Sequence, residues 1–456
     1  MGPLKRIEAL ADRGGVELLD GAEDGSSAVA AAVAVEGRRV ITFAQDGRVG
    51  GGSLGQRQAA TLCRAFELAG EERVPVVGFV ESAGARMQEG VRSLDGYAEV
   101  FRRMIGLSGL VPQIAVATGD SAGGGCYCSA LTDFTIMARG AGMFLTGPRV
   151  VEEVTGEVVS AQDLGGPGVH RRTGVCQIVA DGIGEAAARA REVLGYLPPH
   201  RGAPVPSRRP RPPLVTDPSA CLPADDSGVY DVREVIAALV DAGESLEIAP
   251  HWARNMVTTL ARLKGRPVGM VANQPAHRGG VIDVAASEKA ARFIRICDSF
   301  GLPLVVVVDT PGFMPGTRQE SAGIIRHGAE LLRAFGAASV PRVTLILRRA
   351  FGGGYITMNS KQLGADFCFA WPRATIGILA ARQAVAIVQR EEIAAAPDPD
   401  RRHAELAAAY AEGQSARAAV RAGALDGVVE AAKTRARLCE ALTSAERGAQ
   451  PLSQAA

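Results

Sequence analysis

The chain has few of the residues and runs that mark several common classes of protein. Its net charge is +1 at pH 7, so no strong electric field favours binding to nucleic acid or to an anionic membrane. No run of about 18 uncharged apolar residues is present, and we therefore expect no membrane span. The first residues, from Met1 to Arg6, lack the apolar core of a signal peptide. We expect a cytoplasmic protein.

Its cysteines and histidines are too scattered to indicate a metal site. None of the eight cysteines belongs to a C-x-x-C pair, and the six histidines do not cluster along the sequence. Buried free thiols in a reducing compartment are the better interpretation, and no metal is expected. The chain also lacks an H-E-x-x-H zinc motif and a phosphate-binding P-loop. Catalysis would then depend on backbone donors and on a reactive cofactor brought from outside.

The sequence does contain an internal duplication. The run Val74–Gly84 is repeated as Leu302–Gly312, half a chain later. The apolar run Val111–Thr118 and the glycines after it are repeated from Val340, and the spacing between these two copies is nearly the same as for the first pair. A repeat of this length indicates a duplicated domain and not a solenoid unit.

Each half alternates strands with helices, which predicts an α/β domain in each. In the first half, the apolar spacing predicts helices at Gln56–Ala69 and Glu99–Leu107. A proline-rich stretch between the halves reads as an extended linker. The predicted organisation is an N-terminal domain at residues 1–196, a linker at 197–227 and a C-terminal domain at 228–456. Two domains of about 200 residues fit the usual size range.

A glycine triplet follows a strand in each half, at residues 123–125 and 352–354. A strand that ends in glycines and opens a helix gathers free N–H groups, which can bind an anion or a developing oxyanion. A tight turn or close helix packing also needs glycine, and for one run alone this alternative is the better one. Two matched runs favour two oxyanion pockets. Glu81 and Asp309, which end matched strands, are either acids or bases or caps of the following turn.

Several segments resemble those of acyl-CoA carboxylase β subunits, the carboxyltransferase components of propionyl-CoA and related carboxylases. Residues Glu81–Gly90 are similar to the E-S-G-G-A-R-I-Q-E-G segment of that family. The resemblance covers roughly residues 35 to 390. The other segments that carry it are Ser129–Phe134, Thr146–Pro148, Val154–Glu157, Ala272–Pro275, Ala291–Asp298, Asp309–Thr317 and Gly323–Ala329.

This resemblance implies a fold and a reaction. The fold is α/β, with two tandem crotonase-like (ClpP/crotonase) domains, usually assembled as a hexamer. Carboxybiotin on a carrier protein releases CO2, and the biotin oxygen becomes an oxyanion. The biotin nitrogen takes a proton from the acyl-CoA α-carbon, and the resulting enolate captures the CO2. The site is expected between the N-half of one subunit and the C-half of another. The sequence has no Met-Lys-Met biotinylation site and no ATP-binding module, so separate biotin carboxylase and carrier proteins are implied.

The resemblance also assigns residues. It implies that Gly123 and Gly124 hold the thioester enolate and that Gly353 and Gly354 hold the biotin oxygen, with a register that is open by one residue. Ile356 stands where the family often has Asp. Since that position lines the acyl pocket in the family, the resemblance does not imply a strict preference for propionyl-CoA. The substrate-binding residues that the resemblance implies are Ala83, Gly84, Ala85, Arg86, Gly125, Gly352, Tyr355 and Ile356.

Three functional hypotheses follow. The first is the carboxyltransferase subunit of a biotin-dependent acyl-CoA carboxylase. The second is a decarboxylase or transcarboxylase component that acts on malonyl- or methylmalonyl-CoA, since the same two oxyanion pockets serve both directions. The third is a non-catalytic scaffold, against which the two intact glycine runs argue.

Overall fold

The computed structural model describes residues 1–21, 26–225 and 228–448. The described chain separates into two compact units. The first unit contains Met1–Pro206, Ala249–Trp252 and Ser299–Gly301, and the second contains Ser207–Ile248, Ala253–Asp298 and the chain from Leu302 onward.

The proline-rich segment is held in place by backbone hydrogen bonds. In the second unit, the Arg208 N–H donates to the Gly265 carbonyl and the Ala242 N–H donates to the Pro212 carbonyl, both at 2.9 Å. Residues 207–225 therefore pack against this unit along part of their length. Residues 226 and 227 of the predicted linker lie outside the described residues.

A mixed β-sheet forms the centre of the first unit. Its strands are β1 (Val16–Asp20), β2 (Ala28–Val35), β3 (Arg38–Gln45), β4 (Val76–Ser82), β5 (Gln113–Ala122), β6 (Phe134–Ala138), β7 (Gly142–Phe144) and β8 (Ile178–Ala180). In the described residues the strand order is β1-β2-β3-β4-β5-β6-β8, and β7 pairs with β5. The helices are α1 (Pro3–Leu10), α2 (Gln56–Glu72), α3 (Val91–Leu107), α4 (Gly124–Ala130), α5 (Pro148–Thr155), α6 (Ala161–Gly165), α7 (Pro167–His170) and α8 (Ile183–Leu194).

The second unit repeats this plan. Its strands are β9 (Ser245–Ile248), β10 (Met256–Leu263), β11 (Arg266–Asn273), β12 (Leu304–Thr310), β13 (Arg342–Phe351), β14 (Phe367–Ala370), β15 (Thr375–Gly377) and β16 (Gly427–Val428). The described strand order is β16-β14-β13-β12-β11-β10-β9, and β15 pairs with β13. The helices are α9 (Val232–Leu239), α10 (Val284–Ser299), α11 (Thr317–Ser321), α12 (Ile324–Ala337), α13 (Gly352–Thr357), α14 (Ala381–Val388), α15 (Arg390–Ala395), α16 (Pro399–Gly413), α17 (Ala416–Arg421) and α18 (Thr434–Gly448).

Helices cover the sheet of each unit because the strands carry apolar side chains on their faces. In the first unit, α2 and α3 place Leu62, Phe66 and Met104 in a core with one face of the sheet. In the second unit, Leu239 of α9 and Leu438 of α18 share a core with the sheet. Burial of such side chains contributes roughly 1.5–3 kcal/mol each, which is the main term that holds these layers together.

The duplication that the sequence predicts is present in the strand pairing. In the first unit β2 pairs with β3 through Ala28 opposite Gln45. In the second unit β10 pairs with β11 through Met256 opposite Asn273, which is the same register at the duplicated positions. The fourth strand of each unit, β4 or β12, also has a register shift just before the last residue that it pairs with the next strand. The shift lies between Val80 and Ser82 in β4 and between Val308 and Thr310 in β12. The α/β prediction for each half is confirmed.

Candidate active site

In the segment after β4, one amide N–H points away from Leu54, the residue to which the two flanking residues are hydrogen-bonded. The Leu54 N–H donates to the Gly84 carbonyl, and the Arg86 N–H donates to the Leu54 carbonyl, both at 2.9 Å. Successive N–H groups of an extended chain point in opposite directions, so the Ala85 N–H points to the β5 side. Within the described residues this N–H has no acceptor. A Cβ built on Gly84 would lie 3.3 Å from the Ala122 carbonyl, which shows how close β5 is.

The segment after β12 has the same geometry in the second unit. The Ile282 N–H donates to the Gly312 carbonyl at 3.0 Å, and the Met314 N–H donates to the Ile282 carbonyl at 2.8 Å. The Phe313 N–H therefore points to the β13 side and has no acceptor in the described chain. The number of residues from Ala85 to Phe313 equals the number from Val74 to Leu302, so the two residues hold matching positions in the duplication.

The glycine triplets add a second donor to each of these places. The first-turn amides of a helix have no carbonyl one turn earlier to bond. In the parts of the chain that the structure describes, the amides of Gly124 in α4 and Gly353 in α13 have no acceptor. We call Ala85 with Gly124 the first cradle and Phe313 with Gly353 the second cradle. Each combines a loop N–H with the positive end of a helix, an arrangement suited to an oxyanion.

Gly123 has a different role from the predicted one. Its N–H already donates to the carbonyls of Phe144 (3.2 Å) and Leu145 (3.1 Å), so Gly123 is not a free donor. It has a φ of 54°, and Gly352 has a φ of 56° at the matching place. Both glycines supply the left-handed turn into the helix, which other residues adopt only with strain.

The third glycine of each triplet is needed for close packing. A Cβ on Gly125 would lie 3.1 Å from the Ser82 Cβ, and one on Gly354 would lie 2.9 Å from the Gly312 Cα. These distances are shorter than ordinary van der Waals contact, so each helix start can approach its loop only without a side chain there. Their own N–H groups also have no acceptor in the described residues.

Arg86 is used within the first unit. Its guanidinium donates to the Ser53 carbonyl at 3.0 Å and to the hydroxyls of Ser53 and Ser27 at 3.3 Å. The Ala83 N–H donates to the Gly51 carbonyl at 2.8 Å. These contacts fix the loop that carries Ala85. The guanidinium of Arg86 also lies 3.5 Å from the Glu89 carboxylate, so this side chain supports the loop.

The side chains after the second glycine run differ in exposure. Ile356 is 50% exposed, and Ile378, whose carbonyl lies beside Gly352, is 78% exposed. Tyr355 is partly buried, its hydroxyl donates to the Ala424 carbonyl at 3.4 Å, and burial raises the pKa of that hydroxyl. The second cradle is thus flanked by exposed apolar surface.

Glu81 and Asp309 are paired with arginine and do not cap the turns. Asp309 is fully buried and accepts hydrogen bonds from Nε of Arg348 (2.8 Å) and of Arg349 (2.9 Å). The Tyr230 hydroxyl donates to the same carboxylate at 2.8 Å. In the first unit Glu81 forms an ion pair with Arg6 of α1. Because each of these carboxylates has a cation partner, neither is placed as a free acid or base.

The next residue along each strand caps the turn. Ser82 Oγ accepts from the Gly84 N–H at 3.2 Å, and Thr310 Oγ1 accepts from the Gly312 N–H at 3.1 Å. Sequence reasoning missed these two hydroxyls and the Phe313 N–H. The constant spacing between the two copies, counted from Ala85, was the signal that could have found Phe313.

Among the described residues, the candidate nucleophiles do not replace the backbone donors. The spacing G-x-S-x-G occurs twice, around Ser53 and Ser121, but in the described structure neither serine hydroxyl is bonded to a histidine. Cys126 donates through Sγ to the Gly123 carbonyl at 2.9 Å, and burial raises the pKa of its thiol, so it stays protonated.

The described residues include no group of three or more histidines, cysteines or carboxylates that could hold a metal ion. None of the described helices combines the length and apolar character needed to cross a membrane.

Comparison with known proteins places this chain in a family. The model of the carboxyl transferase domain matches residues 21–454. The biotin-dependent acetyl-/propionyl-coenzyme A carboxylase beta6 subunit of Mycobacterium tuberculosis is 44% identical over 448 residues, which cover 97% of this chain and 94% of that protein. The methylmalonyl-CoA decarboxylase subunit alpha of Propionigenium modestum is 41% identical over 418 residues, which cover 90% of this chain and 81% of that protein.

A solved structure shows the same fold. The transcarboxylase 12S structure with methylmalonyl-coenzyme A and methylmalonic acid bound is 39% identical to this chain, with a TM-score of 0.95, and the match covers 99% of this chain and 90% of that one. The predicted crotonase-type α/β fold is thereby confirmed. The scaffold hypothesis is not retained, because the family and these relatives are defined by carboxyl transfer. The chain belongs to the carboxyl transferase family and is a carboxyltransferase of the kind found as the β subunit of biotin-dependent acyl-CoA carboxylases.

Proposed function

We propose that this enzyme transfers a carboxyl group from carboxybiotin on a carrier protein to the α-carbon of a short acyl-CoA. The observation that carries the proposal is the pair of matched cradles, each with two amide N–H groups that have no acceptor in the described residues. A carboxyl transfer between these two substrates needs two such places, because one carbonyl oxygen on each substrate gains negative charge during the reaction.

The first cradle holds the thioester oxygen of the acyl-CoA. Loss of the α-proton moves negative charge onto that oxygen, and the N–H groups of Ala85 and Gly124 stabilise this charge more than they stabilise the neutral carbonyl. One such donor contributes about 3 kcal/mol to transition-state stabilisation. Two ionisable side chains beside it, Cys126 and Tyr97, add no negative charge, since burial raises the pKa of each.

The second cradle suits the ureido oxygen of biotin. The N–H groups of Phe313 and Gly353 can donate to one oxygen, and Gly352, Gly354 and Tyr355 form the turn around them. The exposed apolar side chain of Ile378, beside this place, fits the apolar part of the bicyclic ring. Biotin itself would supply the carboxyl group in an activated form, and its ring nitrogen, once freed of that group, would take the α-proton of the acyl-CoA.

The proposal includes partners and an assembly. We propose that the biotin-bearing carrier and the biotin carboxylase are separate proteins and that the enzyme works as a homo-oligomer, a hexamer, in the cytoplasm. The structure of the solved relative shows hexamer assembly and substrate binding to a multienzyme core. All eight cysteines are free thiols, which agrees with a reducing compartment. Light scattering on the purified protein tests the assembly.

The reverse direction is a second candidate function. The relative from Propionigenium modestum is named a decarboxylase subunit, and the solved relative is a transcarboxylase. The cradles serve either direction, because the enolate of the acyl-CoA is common to both.

One experiment separates the two candidates. The purified protein is given a biotinylated carrier, biotin carboxylase, ATP, bicarbonate and a panel of acyl-CoAs, and the products are identified by mass spectrometry. We expect a carboxylated acyl-CoA, whose mass names the preferred acyl group. No carboxylated product with any acyl-CoA, together with decarboxylation of malonyl- or methylmalonyl-CoA, would contradict the first candidate and support the second.

A further inference from the structure

One tyrosine packs against Gly124 of the first cradle and is hydrogen-bonded to Ser82, which caps the loop that carries Ala85. Tyr97 lies in α3 and is 4% exposed. A Cβ built on Gly124 would lie 2.7 Å from its ring, so the ring packs directly against the glycine of the helix start. Its hydroxyl lies 3.0 Å from Ser82 Oγ. Since Ser82 Oγ in turn accepts from the Gly84 N–H at 3.2 Å, the tyrosine is linked to the loop that carries Ala85.

The second cradle has the same capping hydroxyl without such a tyrosine. Thr310 Oγ1 accepts from the Gly312 N–H at 3.1 Å and donates to the Gly312 carbonyl at 3.3 Å, so its bonds stay within the loop. The aromatic ring there belongs to Phe313 itself, 3.4 Å from a Cβ built on Gly353 and 3.1 Å from one built on Gly328. A ring thus backs each helix start, but only the first cradle has a hydroxyl that joins the ring to the cap.

The polar bond of Tyr97 is placed where water cannot replace it. Ser82 is fully buried, and burial raises the pKa of the Tyr97 hydroxyl, which therefore remains protonated. A bond between two buried hydroxyls holds its geometry closely, because breaking it leaves both groups without a partner.

We propose that Tyr97 is a positioning residue for the acyl-CoA oxyanion: it sets the distance between the Ala85 and Gly124 N–H groups through Ser82 on one side and its ring on the other. This inference rests on the proposed function of the first cradle. A small displacement of one donor affects the charged enolate more than the neutral thioester, because only the enolate carries the full negative charge. The hydroxyl of Tyr97 should therefore matter for kcat more than for the KM of the acyl-CoA.

The test compares three single variants and one double variant with the wild-type holoenzyme and its carrier. Y97F keeps the ring and removes the bond to Ser82. S82A removes the same bond together with the cap on the Gly84 N–H. S82T keeps a hydroxyl and carries the residue that the second unit has at Thr310. We expect Y97F and S82A to lower kcat at least tenfold with the KM of the acyl-CoA within twofold. S82T should retain most of the activity, and Y97F/S82A should be no slower than S82A alone.

Y230F is the matched control for stability. It also removes a buried tyrosine hydroxyl, one that donates to Asp309 in the second unit at 2.8 Å. We expect it to lower the melting temperature at least as much as Y97F does, with kcat within twofold of the wild type.

Each contrary result has a definite meaning. Wild-type kcat in Y97F, or a multiplicative loss in the double variant, would overturn the inference and leave the proposed function standing. If Y97F does not fold, S82A decides the question by the same criterion. If the wild type supports only decarboxylation of malonyl-CoA, kcat is measured for that reaction, which uses the same cradle. A wild type that is inactive in both directions contradicts the proposed function and this inference with it.

Discussion

Ala85 and Phe313 occupy the same place in the two units, and each directs its amide N–H toward the start of a helix that begins with glycine. Neither N–H has an acceptor among the described residues. Their side chains differ in a way that follows the packing. The loop of the first unit has the small Ala85, because the ring of Tyr97 already covers Gly124. The loop of the second unit carries its own ring on Phe313, which rests against Gly328. The backbone arrangement is therefore duplicated while the side chains that support it are not.

This difference predicts that Phe313→Ala affects the kinetics of one substrate and not of the other. Removing the ring leaves the N–H of residue 313 in place but takes away its support against Gly353 and Gly328. We expect the KM for the biotinylated carrier to rise several-fold and the KM for the acyl-CoA to stay within twofold, as measured by initial rates with each substrate varied in turn. A rise confined to the KM of the acyl-CoA would show that the two cradles are assigned to the wrong substrates.

Adding one methyl group to the helix starts should have unequal effects. In Gly124→Ala the new Cβ would lie 2.7 Å from the Tyr97 ring, which forces the helix start or the ring to move. We expect kcat to fall about 100-fold, the usual loss for one oxyanion donor. In Gly353→Ala the new Cβ would lie 3.4 Å from the Phe313 ring, an ordinary contact. We expect this variant to keep kcat within about tenfold of the wild type.

The control for both variants is Gly106→Ala in α3, where an added Cβ meets no atom within 4 Å. It should keep full activity and increase the free energy of unfolding by about 0.5–1 kcal/mol, because alanine loses less backbone entropy in a helix than glycine does. Equal kcat losses in Gly124→Ala and Gly106→Ala would contradict the assignment of the first cradle.

The paired carboxylates predict a graded loss of stability. Asp309→Asn leaves the buried Arg348 without its charged partner, and such a loss typically costs about 3–5 kcal/mol. Glu81→Gln affects an ion pair whose carboxylate side chain is 24% exposed, so water can replace part of the lost interaction and the cost should be smaller. Urea unfolding of the two variants measures both free energies, and an equal or larger loss in Glu81→Gln would contradict this ranking.

The sequence predicted the fold closely wherever apolar spacing or the duplication carried the signal. The helix predicted at Gln56–Ala69 is α2, which extends to Glu72. The helix predicted from Glu99 begins at Val91, because Gly90 turns the chain with a φ of 56°. About two turns at the start of α3 were missed, since apolar residues there, such as Val91 and Leu94, are exposed and do not continue the buried stripe.

The site was predicted only in outline, for a physical reason. Backbone donors depend on which N–H groups the fold leaves without an acceptor, and residue types do not reveal that. Gly123 looked like a donor by its position, but β7 and the residue after it place two carbonyls against its N–H. Long-range pairs were equally hidden: the arginine that pairs with Glu81 is Arg6, from α1, whereas Asp309 is paired with arginines of the adjacent strand β13.

The last prediction concerns Lys289, a buried cation in α10 that the proposed reaction does not use. Its Nζ donates to the Met256 carbonyl at 2.7 Å. Burial lowers the pKa of Lys289 from 10.5 to about 7, against the opposing charge of Glu247 and with a smaller contribution from Arg233. Between these two pKa values the unfolded chain therefore binds one more proton at this site than the folded chain. The free energy of unfolding should rise with pH across this window, by at most about 1.4 kcal/mol per pH unit from Lys289 alone. Below pH 7 both states are protonated, and this contribution to the slope disappears.

Lys289→Met isolates that contribution, because methionine has a similar length and does not titrate. Urea unfolding at pH 7.5 and 9.5 should give a smaller rise in the free energy of unfolding for the variant than for the wild type, while the two slopes coincide between pH 5.5 and 6.5. Identical slopes for the two proteins at the higher pH would mean that Lys289 keeps an ordinary pKa in the folded protein, and that water or a counter-charge reaches its ammonium group.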